Sequence, residues 1–290
     1  MLLLGGFSER EVSLMSGKEV KDALFRLGHK VFEFDTTEKD LCSASMDNID
    51  LIFNCLHGGV GENGIIQSVC VMKDIPYTGS GVLSSALAMN KVLAKKIFSS
   101  EGINTPDSKV SNMKDILDKD PFPRPYVIKP IDGGSSLGVN IIYKDTDLSS
   151  LKYNDTNVLI EPYLKGREIA VAVINDKVLG MIEIKYSDDF YDYNAKYKSD
   201  KNNYIIPDNL SLILKKKIEQ YAVTAHKALG CKGVTRSDFI LLDNIDQEPS
   251  LLEINTLPGL SDHSLVPKIA KNSGFSFDDL ITMIIKDAFS

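Results

Sequence analysis

Residues 236–259 read RSDFILLDNIDQEPSLLEINTLPG, and this stretch predicts a β-hairpin. Two short apolar runs, 239–242 and 251–254, have the length of strands, and the polar segment between them has the residue types of a turn. The two strands of a hairpin are antiparallel neighbours, so side chains from both strands meet on one face. The polar residues of this stretch are therefore the first candidates for a functional site.

The oxygen-bearing side chains of the hairpin have the spacing of a metal site. Glu253 and Asn255 are two residues apart, so on a strand they point to the same face. If the hairpin closes symmetrically about its loop, Asp238 lies roughly opposite Asn255, with Arg236 at the mouth. Three oxygen donors suit Mg²⁺, which usually binds substrate phosphates as well. The alternative is that these side chains form the polar outer face of an ordinary hairpin.

Size and composition indicate a globular protein with more than one core. The 290 residues exceed what a single hydrophobic core usually serves, so two or three subdomains are expected. Hydrophobic residues make up 43% and charged residues 25%, both ordinary for a globular protein. The net charge of −7 argues against nucleic acid or an anionic membrane as the main partner. A phosphate ligand would need a local basic cluster.

The cysteines and the N-terminus bear on the location of the protein. No two of the four cysteines form a CxxC motif or a disulfide-like spacing, which is typical of free thiols in a reducing compartment. The chain opens MLLLGG without a basic region or a long apolar segment, so no signal peptide is expected. No apolar run reaches the roughly 18 residues that a membrane span needs. We therefore expect a cytoplasmic protein with no membrane partner.

The first 80 residues alternate strand and helix patterns, which indicates parallel βαβ units. Strands are predicted at 2–4, 31–34 and 51–56, and helices at 11–27 and 65–72. Further along, the patterns predict one long helix at 82–98, strands at 126–129, 139–143, 158–161, 170–174 and 178–184, a long loop at 187–203 and a helix at 212–229. The chain is therefore expected to be α/β, and α+β in its C-terminal half. The expected subdomains are 1–80, 81–165 and 166–290.

Residues 59–64, GVGENG, match the GxGxxG pattern of dinucleotide-binding turns and follow a predicted strand. That fingerprint also requires an acidic residue about 20 positions later, at the end of the next strand. Beyond Asp74 the next acid is Glu101, inside or beyond a helix. A nicotinamide-dependent dehydrogenase is therefore an alternative whose motif is incomplete.

A second glycine-rich segment, GGSSLG at 133–138, lies between Lys129 and a predicted strand. Small residues let backbone N–H groups approach phosphate oxygens, and serine hydroxyls add donors, so such a loop can cover a triphosphate. The segment lacks the Lys-Ser/Thr ending of a Walker A motif, and a flexible hairpin turn is the alternative. Lys129, and Lys91 in the preceding helix, would supply cations for phosphate.

A third loop, GGFSER at 5–10, follows the first strand, where ligands gather in α/β units. Its Glu9 is a candidate for binding a substrate ammonium group. A glutamate in this position also stabilises the N-terminus of the following helix, so the local sequence leaves both roles open.

In combination these segments resemble the D-alanine–D-alanine ligases of the ATP-grasp superfamily, over nearly the whole chain. The family's motifs occur in order as GGFSEREVSLMSG (5–17), LHGGVGENG (56–64), TGSGVLSSALAMNK (78–91), IKPIDGGSSLGV (128–139), EPYLKGREIAVAV (161–173), YDYNAKY (191–197), GVTRSDF (233–239) and LLEINTLPGLSDHSLVP (251–267). The resemblance implies a three-subdomain ATP-grasp fold with an N-terminal parallel βαβ preATP-grasp domain. It also implies ATP-dependent ligation of two D-alanine molecules through a D-alanyl phosphate, for peptidoglycan precursor synthesis.

The resemblance implies an ATP site between the second and third subdomains. The residues implied to bind ATP are Lys91, Lys129, Ser135, Ser136, Glu161, Leu164 and Glu168. Leu164 fits plain core packing as well, although an adenine slot needs such apolar walls. Two Mg²⁺ ions, with Mn²⁺ as a substitute, would be held by Asp238, Glu253 and Asn255, with Glu253 bridging them.

The same resemblance implies substrate-binding and catalytic residues. Those implied to contact the substrates are Glu9, His57, Lys196, Arg236, Ser264 and Leu265. Those implied to act in catalysis are Glu9, Ser135, Tyr197, Arg236 and Gly259. Arg236 would stabilise the transferring phosphate and the oxyanion, and the N–H of Gly259 would complete the oxyanion hole. Hydrogen bonds among Glu9, Ser135 and Tyr197 would close the segment 191–197 over the site and exclude water.

Alternatives remain for the second substrate and for the class of protein. Relatives that use D-lactate or D-serine differ near Lys196 and Tyr197, where this chain resembles the dipeptide-forming group. A non-catalytic, two-lobed binding protein would have no need for Arg236 and the three oxygen donors together. The family's usual state is a homodimer, so we expect a homodimer that binds D-alanine and ATP and no nucleic acid.

Overall fold

The computed structural model describes residues 1–6, 8–135, 137–151, 157–185, 203–242 and 248–290, with only the backbone at Ser150 and Asn203. The described helices are α1 (Arg10–Arg26), α2 (Ile65–Met72), α3 (Val82–Met89), α4 (Lys91–Ser100), α5 (Met113–Asp118), α6 (Leu212–Ala228), α7 (Leu265–Asn272) and α8 (Phe277–Asp287). None of them has the length and hydrophobicity needed to cross a membrane. The described strands are β1 (Leu2–Leu4), β2 (Glu33–Asp35), β3 (Phe53–Asn54), β4 (Lys109–Ser111), β5 (Tyr126–Pro130), β6 (Asn140–Ile142), β7 (Val158–Pro162), β8 (Gly166–Ile174), β9 (Lys177–Lys185), β10 (Asn203–Ile205), β11 (Thr235–Leu242) and β12 (Ser250–Asn255).

In the described parts of the chain, the strands form three sheets. The N-terminal sheet is parallel, in the order β2-β1-β3. A four-stranded antiparallel sheet has the order β4-β7-β5-β6, and a five-stranded antiparallel sheet has the order β10-β9-β8-β11-β12. The predicted α/β class with a parallel N-terminal sheet is confirmed, and so is the α+β character of the C-terminal half.

The N-terminal sheet is buried on both faces, as parallel sheets usually are. Its central strand β1 is a continuous apolar run, and all three of its residues are buried. Helix α1 lies against this strand so closely that a Cβ at Gly17 would be 3.3 Å from the Cβ of Leu4. A larger residue at position 17 would push the helix away from the sheet.

The five-stranded sheet has a hydrophobic core on each face. On one face the core joins β8 and β9 with α7 and α8, and it continues into β1 and α1 of the N-terminal part. On the other face, α3, α4 and α6 pack against β8 and β11. Helices α3 and α4 are thus part of the core of the five-stranded sheet, although they precede the four-stranded sheet in sequence. The boundaries proposed at 80 and 165 remain a prediction.

The single helix predicted over 82–98 was wrong, because the chain forms two helices that meet at Asn90. The backbone of Asn90 is extended (φ −83°, ψ 98°) and bridges Asp132. Its side chain caps α4 by accepting a hydrogen bond from the Leu93 N–H at 3.0 Å. The two apolar patterns run on without a glycine or proline between them, so the local signal of the break is Asn90 itself, a residue type that is favoured at helix N-termini.

The register of the β11–β12 hairpin also differs from the symmetrical closure. Asp238 lies opposite Glu253, and Arg236 lies opposite Asn255. The pairing also shifts register between Asp238 and Phe239, where β12 has one extra residue. The correction brings the two carboxylates directly across from each other and keeps Asn255 on the same face.

Candidate active site

A cavity of about 480 Å³ lies between the four-stranded and the five-stranded sheets. Strands β5 and β7 supply one wall, and β8, β9, β11 and β12 supply the other. The predicted nucleotide residues that line it are Lys91, Lys129, Glu161, Leu164 and Glu168. The structure therefore brings together five of the seven residues that the sequence assigned to ATP.

A smaller cavity of about 70 Å³ adjoins the first and is lined by predicted catalytic and substrate residues. These are Ser135, Arg236, Gly259, Ser264 and Leu265, together with the predicted metal ligands Asp238, Glu253 and Asn255. The two cavities share six wall residues, which are Lys91, Gly133, Gly134, Glu168, Asp238 and Glu253. A ligand in the larger cavity can therefore reach the groups that line the smaller one.

The hairpin presents its polar groups where the two cavities meet. Arg236 binds Asp238 through two hydrogen bonds, Nε to Oδ1 and Nη2 to Oδ2, both 2.8 Å long. Asn255 Oδ1 accepts the backbone N–H of Leu257 at 2.8 Å, which fixes the side chain that β12 presents. The two bonds between Arg236 and Asp238 hold the guanidinium group in one orientation, and they therefore also set the direction of its remaining N–H groups.

The three predicted metal ligands fit Mg²⁺ in the chemistry of their donor atoms. Asp238 and Glu253 are directly opposed and Asn255 shares their face, so oxygen atoms line one side of the smaller cavity. Each carboxylate oxygen can accept more than one partner, so the bond from Arg236 does not use all the lone pairs of Asp238. The described residues include no cluster of three or more His, Cys, Asp and Glu side chains that could hold a metal. This set contains two acids and one amide, a combination that suits a hard cation also bound by phosphate oxygens.

Lys91 connects the glycine–serine loop with the hairpin. It is the first residue of α4, and its side chain is buried. Its Nζ donates a hydrogen bond to the backbone oxygen of Gly133 and lies 3.6 Å from Glu253 Oε2. Its backbone N–H donates to Ile131 O at 3.0 Å, so the loop is attached to the start of α4 at two points.

Lys129 and Glu161 face each other across neighbouring strands of the four-stranded sheet. Their side chains form an ion pair of 2.5 Å, from Nζ to Oε2. The other carboxylate oxygen, Oε1, pairs at 2.5 Å with Lys95 of α4. The three side chains are all buried. Sequence reasoning missed Lys95, although its place one helical turn after Lys91 in α4 is the signal that could have indicated it.

Glu9, in the N-terminal part of the chain, contacts Ser135, in the glycine–serine loop. Ser135 Oγ donates a hydrogen bond to Glu9 Oε2, as the resemblance implied. Both residues have left-handed backbones, with φ of 49° and 52°, a conformation that non-glycine residues adopt at a cost. Gly58 lies beside them, since a Cβ there would be 2.9 Å from Glu9 Oε1. The contact between Glu9 and Ser135 thus joins two residues with uncommon backbone conformations, and a glycine at position 58 leaves room for the Glu9 carboxylate.

His57 belongs to a buried chain of polar groups that reaches Leu260, the residue after Gly259. Its Nδ1 lies 3.6 Å from Glu62 Oε1, and its Nε2 lies 3.1 Å from Ser16 Oγ. Ser16 Oγ also accepts the backbone N–H of Leu260 at 3.2 Å. The residue that follows Gly259 is therefore held by α1, 244 positions away in sequence. Sequence reasoning missed Ser16 and Glu62.

Gly259 and Ser264 lie close together at the entry to α7. A Cβ at Gly259 would be 2.6 Å from Ser264 Oγ, so only glycine fits without movement. Ser264 Oγ accepts the backbone N–H of Ser261 at 3.1 Å, and Leu265 begins the helix. The positive end of the helix dipole thus points toward the smaller cavity, where it favours an anionic group.

Three predicted site residues, Ser136, Lys196 and Tyr197, lie outside the described residues, as does the whole segment 191–197. Of the loop predicted at 187–203, residues 187–202 lie outside them too and Asn203 begins β10, and residues 243–247 of the hairpin loop also lie outside them. Within the described residues, sequence reasoning also missed the ion pair of Arg167 with Glu183 in the larger cavity, 2.7 Å from Nη2 to Oε2. An acid in the apolar strand β9 was the available signal, since a buried charge requires a partner.

Comparisons with known proteins agree with this arrangement. Two family models match the chain, "D-ala D-ala ligase N-terminus" over residues 31–80 and "D-ala D-ala ligase C-terminus" over residues 97–286. The D-alanine–D-alanine ligase B of Mesorhizobium japonicum is 44% identical, over 99% of this chain and 96% of its own length. The D-alanine–D-alanine ligase of Rickettsia typhi is 42% identical, over 99% of this chain and 91% of its own.

Solved structures give the same result. The D-alanine–D-alanine ligase of Bacillus anthracis, crystallised in complex with ATP, superimposes with a TM-score of 0.83 at 35% identity, over 99% of this chain and 95% of its own. The D-Ala:D-Ser ligase VanG of Enterococcus faecalis superimposes with a TM-score of 0.82 at 28% identity, over 99% of this chain and 98% of its own. Both sequence and structure match from end to end. The chain therefore belongs to the D-alanine–D-alanine ligase family.

Proposed function

We propose that this protein joins two D-alanine molecules to form D-alanyl-D-alanine, with ATP converted to ADP and phosphate, in peptidoglycan precursor synthesis. The observation that supports this most directly is the pair of adjoining cavities with shared acidic and basic walls. The larger has room for a nucleotide, and the smaller has an arginine and a glycine-rich turn suited to a small zwitterion. The family membership supports the same activity.

The nucleotide would lie in the larger cavity with its phosphates toward the hairpin. Lys91, Lys129 and the glycine–serine loop, including Ser135 and Ser136, would bind the phosphates. Adenine and ribose would contact Glu161, Leu164 and Glu168. In this orientation the γ-phosphate reaches the residues that the two cavities share.

Two chemical steps follow from this placement. The carboxylate of the first D-alanine attacks the γ-phosphorus, which forms a D-alanyl phosphate and releases ADP. The amine of the second D-alanine then attacks the acyl carbon, the C–O bond to phosphate breaks, and the amine gives up a proton. Arg236 would stabilise the negative charge in both steps, and the N–H of Gly259 would bind the oxyanion of the second. Exclusion of water protects the acyl phosphate from hydrolysis.

The first D-alanine would be held by Glu9 through its ammonium group, with His57 nearby. The second would be bound through its carboxylate by Ser264 and Lys196, next to Leu265. The N-terminus of α7 supports a carboxylate at that end of the smaller cavity. Tyr197 would join Glu9 and Ser135 when the segment 191–197 covers the site.

Asp238, Glu253 and Asn255 would hold two Mg²⁺ ions, or Mn²⁺ in their place. When bound, such ions neutralise phosphate charge and align the reacting oxygens. We expect Glu253→Gln to abolish turnover at ordinary Mg²⁺ and to remove ADP-dependent Mn²⁺ binding measured by electron paramagnetic resonance. Glu248→Gln is the matched control, because Glu248 precedes the same strand and pairs with Lys217 away from the cavities. Unchanged Mn²⁺ binding by the Glu253 variant would refute this metal site.

The assembly and location of the protein are part of the proposal. The family's usual state supports a homodimer, which sedimentation of the purified protein would test. The described cysteines are free, and three of the four are buried, which supports a cytoplasmic location. Sedimentation as a monomer at micromolar concentration would contradict the assembly.

The activity is tested by incubating the purified protein with ATP, Mg²⁺ and D-alanine and identifying the products by mass spectrometry. We expect D-alanyl-D-alanine and phosphate in equal amounts, and neither product with L-alanine. D-serine and D-lactate, each added with D-alanine, test the alternative second substrates. A mixed product in excess over the dipeptide would identify a D-alanyl-D-serine or D-alanyl-D-lactate ligase, and no product from any mixture would refute ligation.

A further inference from the structure

A buried lysine that does not contact either cavity lies behind the nucleotide site. Lys129 and Glu161 are among the described residues that line the larger cavity, whereas Lys95 lines neither of the two cavities. Lys95 is only 5% exposed, and its ammonium group reaches Glu161 Oε1 at 2.5 Å. A lysine is almost never fully buried unless it is paired, so this ion pair accounts for its position.

Glu161 has one oxygen for each of two lysines. Oε1 binds Lys95 and Oε2 binds Lys129, so the carboxylate bridges two ammonium groups. Glu161 is 3% exposed, and Lys129 is 8% exposed. Little water reaches the three groups, so their mutual interactions are screened weakly.

The charge balance of this cluster depends on Lys95. Two ammonium groups and one carboxylate leave a net charge of +1 beside the larger cavity. Without Lys95 the cluster would be neutral, and the whole charge of Glu161 would act on Lys129. Burial lowers the pKa of Lys95, and the attraction of Glu161 opposes that shift. The pairing thus favours the charged form that the balance requires.

We propose that Lys95 is a positioning residue for the nucleotide, which acts through Glu161 to keep the Lys129 ammonium group available to the phosphates of ATP. By occupying Oε1 and sharing the negative charge, Lys95 weakens the hold of Glu161 on Lys129. It also fixes the carboxylate so that Oε2 continues to orient Lys129 toward the cavity. This inference rests on the proposed function, since it takes ATP as the ligand of the larger cavity.

Lys95→Met keeps an unbranched side chain, one heavy atom shorter, and removes its charge. We expect the dissociation constant for MgATP, measured by isothermal titration calorimetry, to rise roughly tenfold or more, as for the loss of a charged hydrogen-bonded partner. The KM for ATP should rise in parallel, with kcat at saturating ATP changed by much less. Lys96→Met is the matched control, because Lys96 is the next residue of α4 and is exposed. Its MgATP affinity should equal that of the unmodified protein.

A double variant separates an electrostatic role from a general loss of structure. Lys95→Met combined with Glu161→Gln removes one charge of each sign and restores the net +1 at Lys129. Because Glu161 is itself proposed to contact the nucleotide, the reference is Glu161→Gln alone, and adding Lys95→Met to that variant should weaken MgATP binding much less than it does in the unmodified protein. Circular dichroism identifies variants that do not fold. If Lys95→Met is among them, Lys95→Gln removes the charge while keeping a donor, and Lys95→Arg keeps the charge and should retain affinity.

These measurements test the proposed function and the role of Lys95 separately. If the unmodified protein binds no MgATP, the proposed function is wrong. If that protein binds MgATP and folded Lys95→Met binds it equally well, the role of Lys95 is wrong. The same conclusion follows if Lys95→Met weakens MgATP binding as much in the Glu161→Gln variant as in the unmodified protein, since the loss would then not act through Glu161.

Discussion

Gly58 is the residue whose replacement should most directly disturb Glu9. Its φ is +67°, and a Cβ would lie 2.5 Å from Ser8 Oγ and 2.9 Å from Glu9 Oε1. We expect Gly58→Ala to displace the Glu9 carboxylate and raise the KM for D-alanine at least about tenfold, by loss of a charged contact. Gly28→Ala is the control, because Gly28 has φ +84° and no atom within 4 Å of the added Cβ. Gly28→Ala should lose stability only through its strained backbone and should keep the KM for D-alanine of the unmodified protein. If both variants had the same KM for D-alanine, the placement of Glu9 would be contradicted.

Among single residues, those in recognisable motifs were predictable, whereas the buried residues that contact them were not. Lys91, Lys129 and Glu253 were expected at the site because their residue types and flanking loops suit phosphate and metal. Lys95 and Ser16 were not, because their partners lie 66 and 244 residues away along the chain. Their roles depend on packing that local patterns do not encode.

The first turn of α1 is attached to the end of β2 by an ion pair. Arg10 binds Asp35 through two hydrogen bonds of 2.9 and 2.6 Å, and this holds the pKa of Asp35 well below its usual range. A lowered carboxyl pKa stabilises the folded state above the unfolded value of about 4, and this contribution is lost as the pH falls through the folded pKa. We expect Asp35→Asn to lower Tm at neutral pH, with a difference that shrinks below about pH 4. Thermal unfolding across this range tests it, and a difference independent of pH would contradict the pairing.

Element types were more predictable than the joints between elements. The helix at Ile65–Met72 and the strand at Leu2–Leu4 have the bounds that their apolar patterns predict. The break at Asn90 and the register of Asp238 against Glu253 were missed. Both depend on contacts with other segments, a bridge to residue 132 in one case and the pairing of two strands in the other.

The N-terminal and C-terminal parts of the molecule share one hydrophobic core. Leu280 of α8 is fully buried in it, alongside Val20 and Leu24 of α1. We expect Leu280→Ala to lower the free energy of unfolding by about 2–5 kcal/mol, as for other deletions of buried leucine side chains. Leu83→Ala, at a position 69% exposed on α3, should change it by less than about 0.5 kcal/mol. Urea titration followed by circular dichroism measures both, and similar values would mean that the two parts are not joined by this core.

The order of strands and helices was largely predictable from the sequence, but the way in which they pack was not. Alternating strand and helix patterns in the first part of the chain indicate the parallel sheet, and the strand patterns that follow one another later indicate antiparallel pairing. It does not reveal that α3 and α4 pack against the five-stranded sheet, or that α1 packs against α8. These contacts place Glu9 next to Ser135 and Ser16 next to Leu260, so the active site depends on the assembly of all three sheets.

The central claim is that a D-alanine carboxylate attacks ATP and that the phosphate later leaves with one of its oxygens. D-alanine labelled with ¹⁸O in both carboxylate oxygens tests this directly, with the released phosphate examined by mass spectrometry. We expect one ¹⁸O atom in each phosphate molecule that accompanies a dipeptide. Phosphate without ¹⁸O, formed together with dipeptide, would contradict it.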